Sequence, residues 1–166
     1  MKTSLSKSRY TRYCQCPKSL WLSINKPDEA TVDAGVEARF AEGNVVGDLA
    51  MGLFGDFVEV TTIKDERLDL NAMIAKTREE MERGTEVICE ASFSYNDGTG
   101  SNYCAVDILR KTADGWAIYE VKSTTSHMAD VATMSKALVD KVEKYAKDIA
   151  FQKWVLVQCG VKVTGT

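Results

Sequence analysis

Apolar residues recur along this chain with two different periods. Between Thr31 and Phe54, the residues Val36, Phe40, Gly43, Gly47, Ala50 and Phe54 follow one another at spacings of four, three, four, three and four. That spacing puts them on one face of a helix. The middle of the face is made of small residues, as where another element packs tightly, and Glu42 borders it. Asn71 to Arg83 reads as a second helix, with Gly84 as its stop signal. Asp140 to Cys159 reads as a third, ended by Gly160. Along one of its faces run Val142, Tyr145, Ile149, Gln152 and Leu156, with Lys144, Lys147 and Asp148 largely off that line. Near the amino terminus Ser6 can cap a short helix through Tyr13, and Pro17 fits the first turn of another through Leu22.

The other period is two. Glu86 to Tyr95, Tyr103 to Lys111 and Trp116 to Ser123 read as strands, and Phe57 to Ile63 is a weaker strand candidate. The first pair is joined by NDGTGSN, which is turn chemistry. Val161 to Val163 looks like the start of one more strand. Helices, then three antiparallel strands, then a helix and a strand, suggest an α+β or mixed α/β domain. The strand that begins so near Thr166 suggests that residues 1–166 are a single domain from the amino-terminal part of a longer protein.

The loop Thr112-Ala113-Asp114-Gly115 fits a four-residue hairpin. It sets Lys111 opposite Trp116, Leu109 opposite Ile118 and Asp107 opposite Glu120. Alternation then puts Lys122 on the face of Glu120. Directly opposed residues have Cβ atoms about 5 Å apart. Two carboxylates that close repel, and in a partly buried site both ionise only with a cation between them. A hard divalent ion with oxygen ligands, Mg²⁺ or Mn²⁺, answers that need. Lys122 can then hold or help activate a water at a phosphorus and stabilise charge on the transferring group. A structural cross-strand charge cluster, with Lys122 neutralising one carboxylate, fits the same triplet. Gln152 is polar where the helix face calls for an apolar residue. Either it faces water at the helix edge, or it points at substrate or at the water network of the site.

Composition changes this picture in three places. The net charge of the 166-residue chain is −3, which taken alone argues against nucleic acid. Its distribution does not, because residues 1–26 carry Lys2, Lys7, Arg9, Arg12, Lys18 and Lys26 and no acid, interleaved with Tyr10, Tyr13 and Trp21. Such a segment suits phosphate contact and base stacking, with Lys7, Arg9, Arg12 and Lys18 as its contacts, and it also suits a solvated helix. The five cysteines, an odd number, do not read as a secreted disulfide framework, and Cys89 and Cys104 fall in strands as small core residues. No apolar run approaches the roughly 20 residues of a membrane span, and no signal-peptide core is visible, so a cytoplasmic protein without a membrane partner is expected.

These segments together resemble the PD-(D/E)xK nuclease superfamily, and within it the RecB-like branch that includes CRISPR-associated RecB-type exonucleases. LSKSRYTRYCQCPKSLWL is similar to that branch's amino-terminal segment, and EGNVVGDLA to its first helix motif. VDIL supplies the Asp motif, IYEVKST the Glu-x-Lys motif, and DIAFQKWVL the Gln-containing helix. The resemblance implies a restriction-endonuclease-like core with a central mixed sheet flanked by helices. It implies divalent-metal-dependent, exonuclease-like hydrolysis of DNA phosphodiesters. Asp107 and Glu120 would bind Mg²⁺ or Mn²⁺ with the Val121 carbonyl, Lys122 would be the catalytic lysine, and Gln152 would contact substrate or support the site. A helicase, or a repair or CRISPR protein, is the kind of partner it implies.

Two departures stand out. Related nucleases often place a metal-binding His four residues after the first motif's Gly, where this chain has Gly47. Relatives that carry an iron–sulfur cluster use one amino-terminal Cys and three carboxy-terminal ones. Cys16 matches the first, but only Cys159 lies near the others, so no cluster is expected. Cys14 and Cys16 as a zinc pair would need two more ligands, and the lone His127, in a polar loop, is a poor one. Gly47 keeps an alternative open: a catalytically weak or inactive nuclease-fold module that binds nucleic acid.

Overall fold

The computed structural model of the protein describes residues 3–29, 34–123, 133 and 135–166. His127 and the side chains of Val36 and Phe40 lie outside the described residues. Among the described residues five α-helices are seen: α1 (Lys7–Gln15), α2 (Pro17–Asn25), α3 (Ala34–Met51), α4 (Leu70–Arg83) and α5 (Lys136–Gln158). The strands are β1 (Thr3–Ser6), β2 (Val58–Glu59), β3 (Ile63–Lys64), β4 (Arg67–Leu68), β5 (Val87–Asn96), β6 (Gly100–Lys111), β7 (Trp116–Tyr119) and β8 (Val163–Gly165).

Local chemistry sets most of the boundaries. The Ser6 hydroxyl accepts from the Arg9 amide and starts α1, and Pro17 occupies the first turn of α2. Gly84 ends α4 in the left-handed region, at φ +83°. The hairpin loop closes through the Thr112 amide, which donates to the Gly115 carbonyl at 2.8 Å. Gly115 has no room for a side chain: a Cβ there would lie 2.3 Å from the Lys162 carbonyl oxygen, where the chain passes on its way into β8.

A mixed sheet forms the centre, in the order β2-β5-β6-β7-β8, and β1 pairs with β6 off that path. β5, β6 and β7 are antiparallel neighbours, whereas the β1–β6, β2–β5 and β7–β8 pairs are parallel. The register across the second hairpin is the one the sequence predicts, with Lys111 opposite Trp116 and Leu109 opposite Ile118. β5 covers one edge of β6 along most of its length. The other edge is shared: β1 pairs with residues 100–103 and β7 with residues 108–111. The carboxyl ends of β1 and β7 therefore run towards each other and leave a gap beside residues 104–107.

Helices flank both faces. On one, Phe151, Val155 and Leu156 of α5 and Met81 of α4 pack on Ile88, Phe93, Val106, Leu109 and Ile118. Tyr10 stacks on Phe151, with ring centroids 4.9 Å apart, and docks α1 on α5. On the other face Ala50 and Met51 of α3, with Phe54, pack on Val87, Cys89 and Ile108. Residues two apart on a strand normally share a face. Val106 and Ile108 do not, nor do Cys89 and Ala91. The inversion is centred on Glu90 and Asp107, which fall opposite each other between the pairs Cys89–Ile108 and Ala91–Val106. Glu90 has φ +57°, a left-handed conformation that costs a non-glycine residue about 1–2 kcal/mol.

Several expectations are corrected. The third predicted strand ends at Tyr119 rather than Ser123, and Phe57 to Ile63 is two short strands rather than one. The last strand is displaced to Val163–Gly165, and β1 is an element the sequence reading lacks. Among the described residues nothing packs tightly on the small-residue face of α3: a Cβ on Gly43 or Gly47 would meet none of their atoms within 4 Å. The face of α5 is rotated from the expected line: Val142 is exposed and Asp148 is buried.

Candidate active site

The gap beside β6 is where the charged residues meet. Past the end of the β7 ladder the Val121 amide donates to Asp107 Oδ2 at 2.7 Å, so the Asp107 side chain takes the place of a ladder carbonyl. This holds Asp107 and Glu120 at adjoining positions, as the hairpin register predicts. Lys122 is on the same side and its ammonium contacts Glu120 Oε1 and, at 3.1 Å, Asp148 Oδ2. Gln152 is fully buried and donates to Glu120 Oε2 at 2.6 Å. It is therefore neither a helix-edge residue in water nor a free group reaching for substrate; it orients the carboxylate. Asp148 and Gln152 lie four apart on α5, which brings both onto one face.

Lys7 arrives from the other side of the gap. It is the first residue of α1, just after β1, and its Nζ lies 3.1 Å from both Glu120 oxygens and 3.7 Å from Asp107 Oδ1. Of the four basic residues expected to contact nucleic acid, Lys7 is thus part of the acidic centre. Arg9, Arg12 and Lys18 are exposed, although Arg9 Nη1 also donates to the Ser4 carbonyl at 2.7 Å. Tyr13 and Trp21 are also exposed on α1 and α2.

A cleft of about 310 Å³ opens over the centre, lined in part by Gly43, Asn44, Gly47 and Asp48 of α3 and by Glu90. The open space beside the two glycines is this cleft. Asp48, not Glu42, is the α3 carboxylate that lines it. The sequence reading missed Glu90, Asp48 and Asp148. Glu90 was open to discovery, because extending the β5–β6 register from the NDGTGSN turn sets it opposite Asp107.

Burial and neighbours shape the charges. Burial raises the Asp107 carboxyl above its ordinary range against the pull of Lys7, and burial with Glu120 nearby raises Asp148. Burial would also raise Glu120, but Lys7 and Lys122 outweigh it and hold it ionised. Burial, reinforced by Asp107, pushes Glu90 up to about 7. Its neutral form is thus favoured in the fold, which adds stability below pH 4.5 that is lost as pH rises through 7. In chelator-treated protein, Glu90→Gln should flatten urea-derived stability across that window by about 2 kcal/mol, after discounting for partial exposure. Parallel pH profiles for the two proteins would contradict this.

Glu90, Asp107, Glu120 and Asp148 face two ammoniums, Lys7 and Lys122. Among the described residues Asp148 Oδ1 and Gln152 Oε1 are buried without a hydrogen-bond partner, and the 8%-exposed Asp148 lies against the centre. Among the described residues no three His, Cys, Asp or Glu side chains are gathered closely enough to hold a metal ion by themselves. The donor set still fits Mg²⁺ or Mn²⁺, because Mg²⁺ is commonly bound by one or two carboxylates and keeps several waters. Asp107 and Glu120 would supply the carboxylates, and Val121, whose carbonyl is the third expected ligand, lines the same cleft.

No protein-family model, no curated protein and no solved structure matches the chain. The residues themselves carry the functional reading. Elsewhere Cys89 and Cys104 are buried in the sheet, as expected of them, and Cys14, Cys16 and Cys159 are exposed thiols. Among the described residues no helix is long and apolar enough to cross a membrane.

Proposed function

We propose that this chain is a divalent-metal-dependent nuclease that hydrolyses DNA phosphodiester bonds, with a restriction-endonuclease-like core of the RecB-like type. The observation that carries the reading is the meeting of Asp107 and Glu120 at the end of the β6–β7 ladder, with Lys122 on Glu120 and an open cleft above. Asp107, Glu120 and the Val121 carbonyl would hold Mg²⁺ or Mn²⁺. Such an ion, when bound, supplies a Lewis acid for a phosphoryl oxygen and favours ionisation of a water.

The chain's own residues do the rest. Gln152 fixes Glu120, and Asp148 with Glu120 fixes the Lys122 ammonium at the cleft floor. An ammonium held by two carboxylates donates hydrogen bonds and charge to the phosphorane-like transition state. Water adds to phosphorus, the bond to the leaving sugar oxygen breaks, and that oxygen takes up a proton. Arg12 and Lys18, with Tyr13 and Trp21, are exposed on α1 and α2 and suit contacts to backbone phosphates and stacked bases. An exonuclease-like action, a cytoplasmic setting and a helicase, repair or CRISPR partner belong to the same proposal.

The test is incubation of linear and covalently closed DNA with the protein and Mg²⁺ or Mn²⁺. Chelator-sensitive loss of the linear form, with the closed circle spared, is expected. Absence of cleavage with either ion overturns the reading. The second reading, a module that grips nucleic acid without cutting it, is favoured by Gly47 lining the cleft where the nucleases it resembles often place a histidine. Salt-sensitive DNA retention without cleavage would support it.

A further inference from the structure

The position of Lys7 goes beyond what the proposed chemistry uses. Its Nζ is equidistant from the two Glu120 oxygens, at 3.1 Å, and 3.7 Å from Asp107 Oδ1. Those are the two carboxylates assigned to the ion. A magnesium–oxygen bond is about 2.0–2.1 Å long. A divalent ion held by the same two carboxylates would compete with the ammonium for their oxygens, and two cations that close repel. Both cannot sit there.

The backbone of Lys7 has little freedom to yield. β1 is paired along Gly100–Tyr103, the Ser6 side chain caps α1, and Tyr10 stacks on Phe151. The four-carbon stem can move, and the 310 Å³ cleft that Lys7 lines gives it somewhere to go. The helix does not favour a cation at this point either. Lys7 is at the amino end of α1, whose first turn has no acid, so the macrodipole opposes its charge. The carboxylates, not the helix, hold it in place.

From this geometry we propose that Lys7 is a tethered cation occupying the ion position, and that a divalent ion binds by displacing its ammonium into the cleft. The inference rests on the metal-dependent reading above. It makes Lys7 a determinant of metal affinity, distinct from the exposed Arg12 and Lys18.

The experiment is a Mn²⁺ titration of the whole chain, followed by electron paramagnetic resonance, for the wild type, Lys7→Gln and Lys7→Arg. Lys7→Gln is expected to bind Mn²⁺ at least tenfold more tightly than wild type, and Lys7→Arg no more tightly. Affinity in Lys7→Gln equal to or weaker than wild type overturns the proposal while leaving the metal site standing. Absence of binding in all three overturns the metal reading and this inference with it. Binding by Lys7→Gln alone supports both. A measurement on the wild type removes dependence on the variants' folding. The ¹⁵N resonance of the Lys7 ammonium should move towards that of exposed lysines as Mg²⁺ is added. A resonance that stays fixed at Mg²⁺ concentrations that displace bound Mn²⁺ would defeat the idea.

Discussion

Lys122→Met should leave the fold intact and lower metal-dependent DNA cleavage by about 10²–10³-fold, the loss seen when one preorganised donor to a developing anion is removed. Methionine keeps most of the aliphatic stem, and the Lys122 side chain is partly exposed, so little packing is lost. What disappears is the ammonium held between Glu120 and Asp148. Asp107→Asn makes a companion case. Its amide oxygen can still accept from the Val121 amide, so the junction between β6 and β7 survives while the ligand charge is lost. Cleavage should fall by a similar factor, and Mn²⁺ affinity should fall with it. Initial rates on linear DNA, read beside the thermal midpoint of each variant, separate chemistry from folding. A Lys122→Met rate within threefold of wild type would remove Lys122 from the mechanism.

Glu120→Ala acts on stability as well as chemistry. The Glu120 side chain is 2% exposed and accepts from Lys7, Lys122 and Gln152 together. Its removal leaves Lys7 with Asp107, Lys122 with Asp148, and the buried Gln152 amide nitrogen without its acceptor. Breaking a fully buried pair by deleting one partner costs about 3–5 kcal/mol. Both lysines reach solvent here, at 20% and 30% side-chain exposure, and one of four crowded carboxylates is relieved. The expected loss is therefore smaller, about 2 kcal/mol. Wild type should also gain thermal stability when Mn²⁺ is added, by mass action on the folded state, and Glu120→Ala should not. Urea unfolding with and without Mn²⁺ checks both halves. A Glu120→Ala midpoint equal to that of wild type, and rising as much with Mn²⁺, would mean that Glu120 carries neither burden.

The hairpin at the heart of the site was legible because a short loop fixes register, and register fixes which side chains share a face. Thr112 to Gly115 was enough to bring Asp107, Glu120 and Lys122 together on paper, and the structure places them so. The helical caps at Ser6, Pro17 and Gly84 were legible for the same reason, since each acts over three or four residues. What escaped depends on distance. β1 is four residues of TSLS, with no alternation strong enough to announce a strand, and its partner lies about a hundred residues on. Lys7 was therefore read with its sequence neighbours, as part of a basic helix, rather than with the acids it meets. Asp148 was placed off the inner line of α5, because an apolar stripe was used to find the buried face and a charged residue does not contribute to one. Its burial follows from Lys122, which gives it a partner there. The glycines of α3 were read as close packing, the usual reason for small residues on a helix. Here the space they leave is the cleft itself.

The Lys7–Glu120 contact joins groups 113 positions apart in the chain. Closing so long a loop is slow compared with forming the β5–β6–β7 meander, whose strands are linked by short turns. The meander is therefore expected to display its acids before the amino-terminal lysine reaches them. On the metal-dependent reading, a divalent ion in the surrounding solution would meet those acids without a competitor, so the order in which ion and lysine arrive would follow from the topology of the chain.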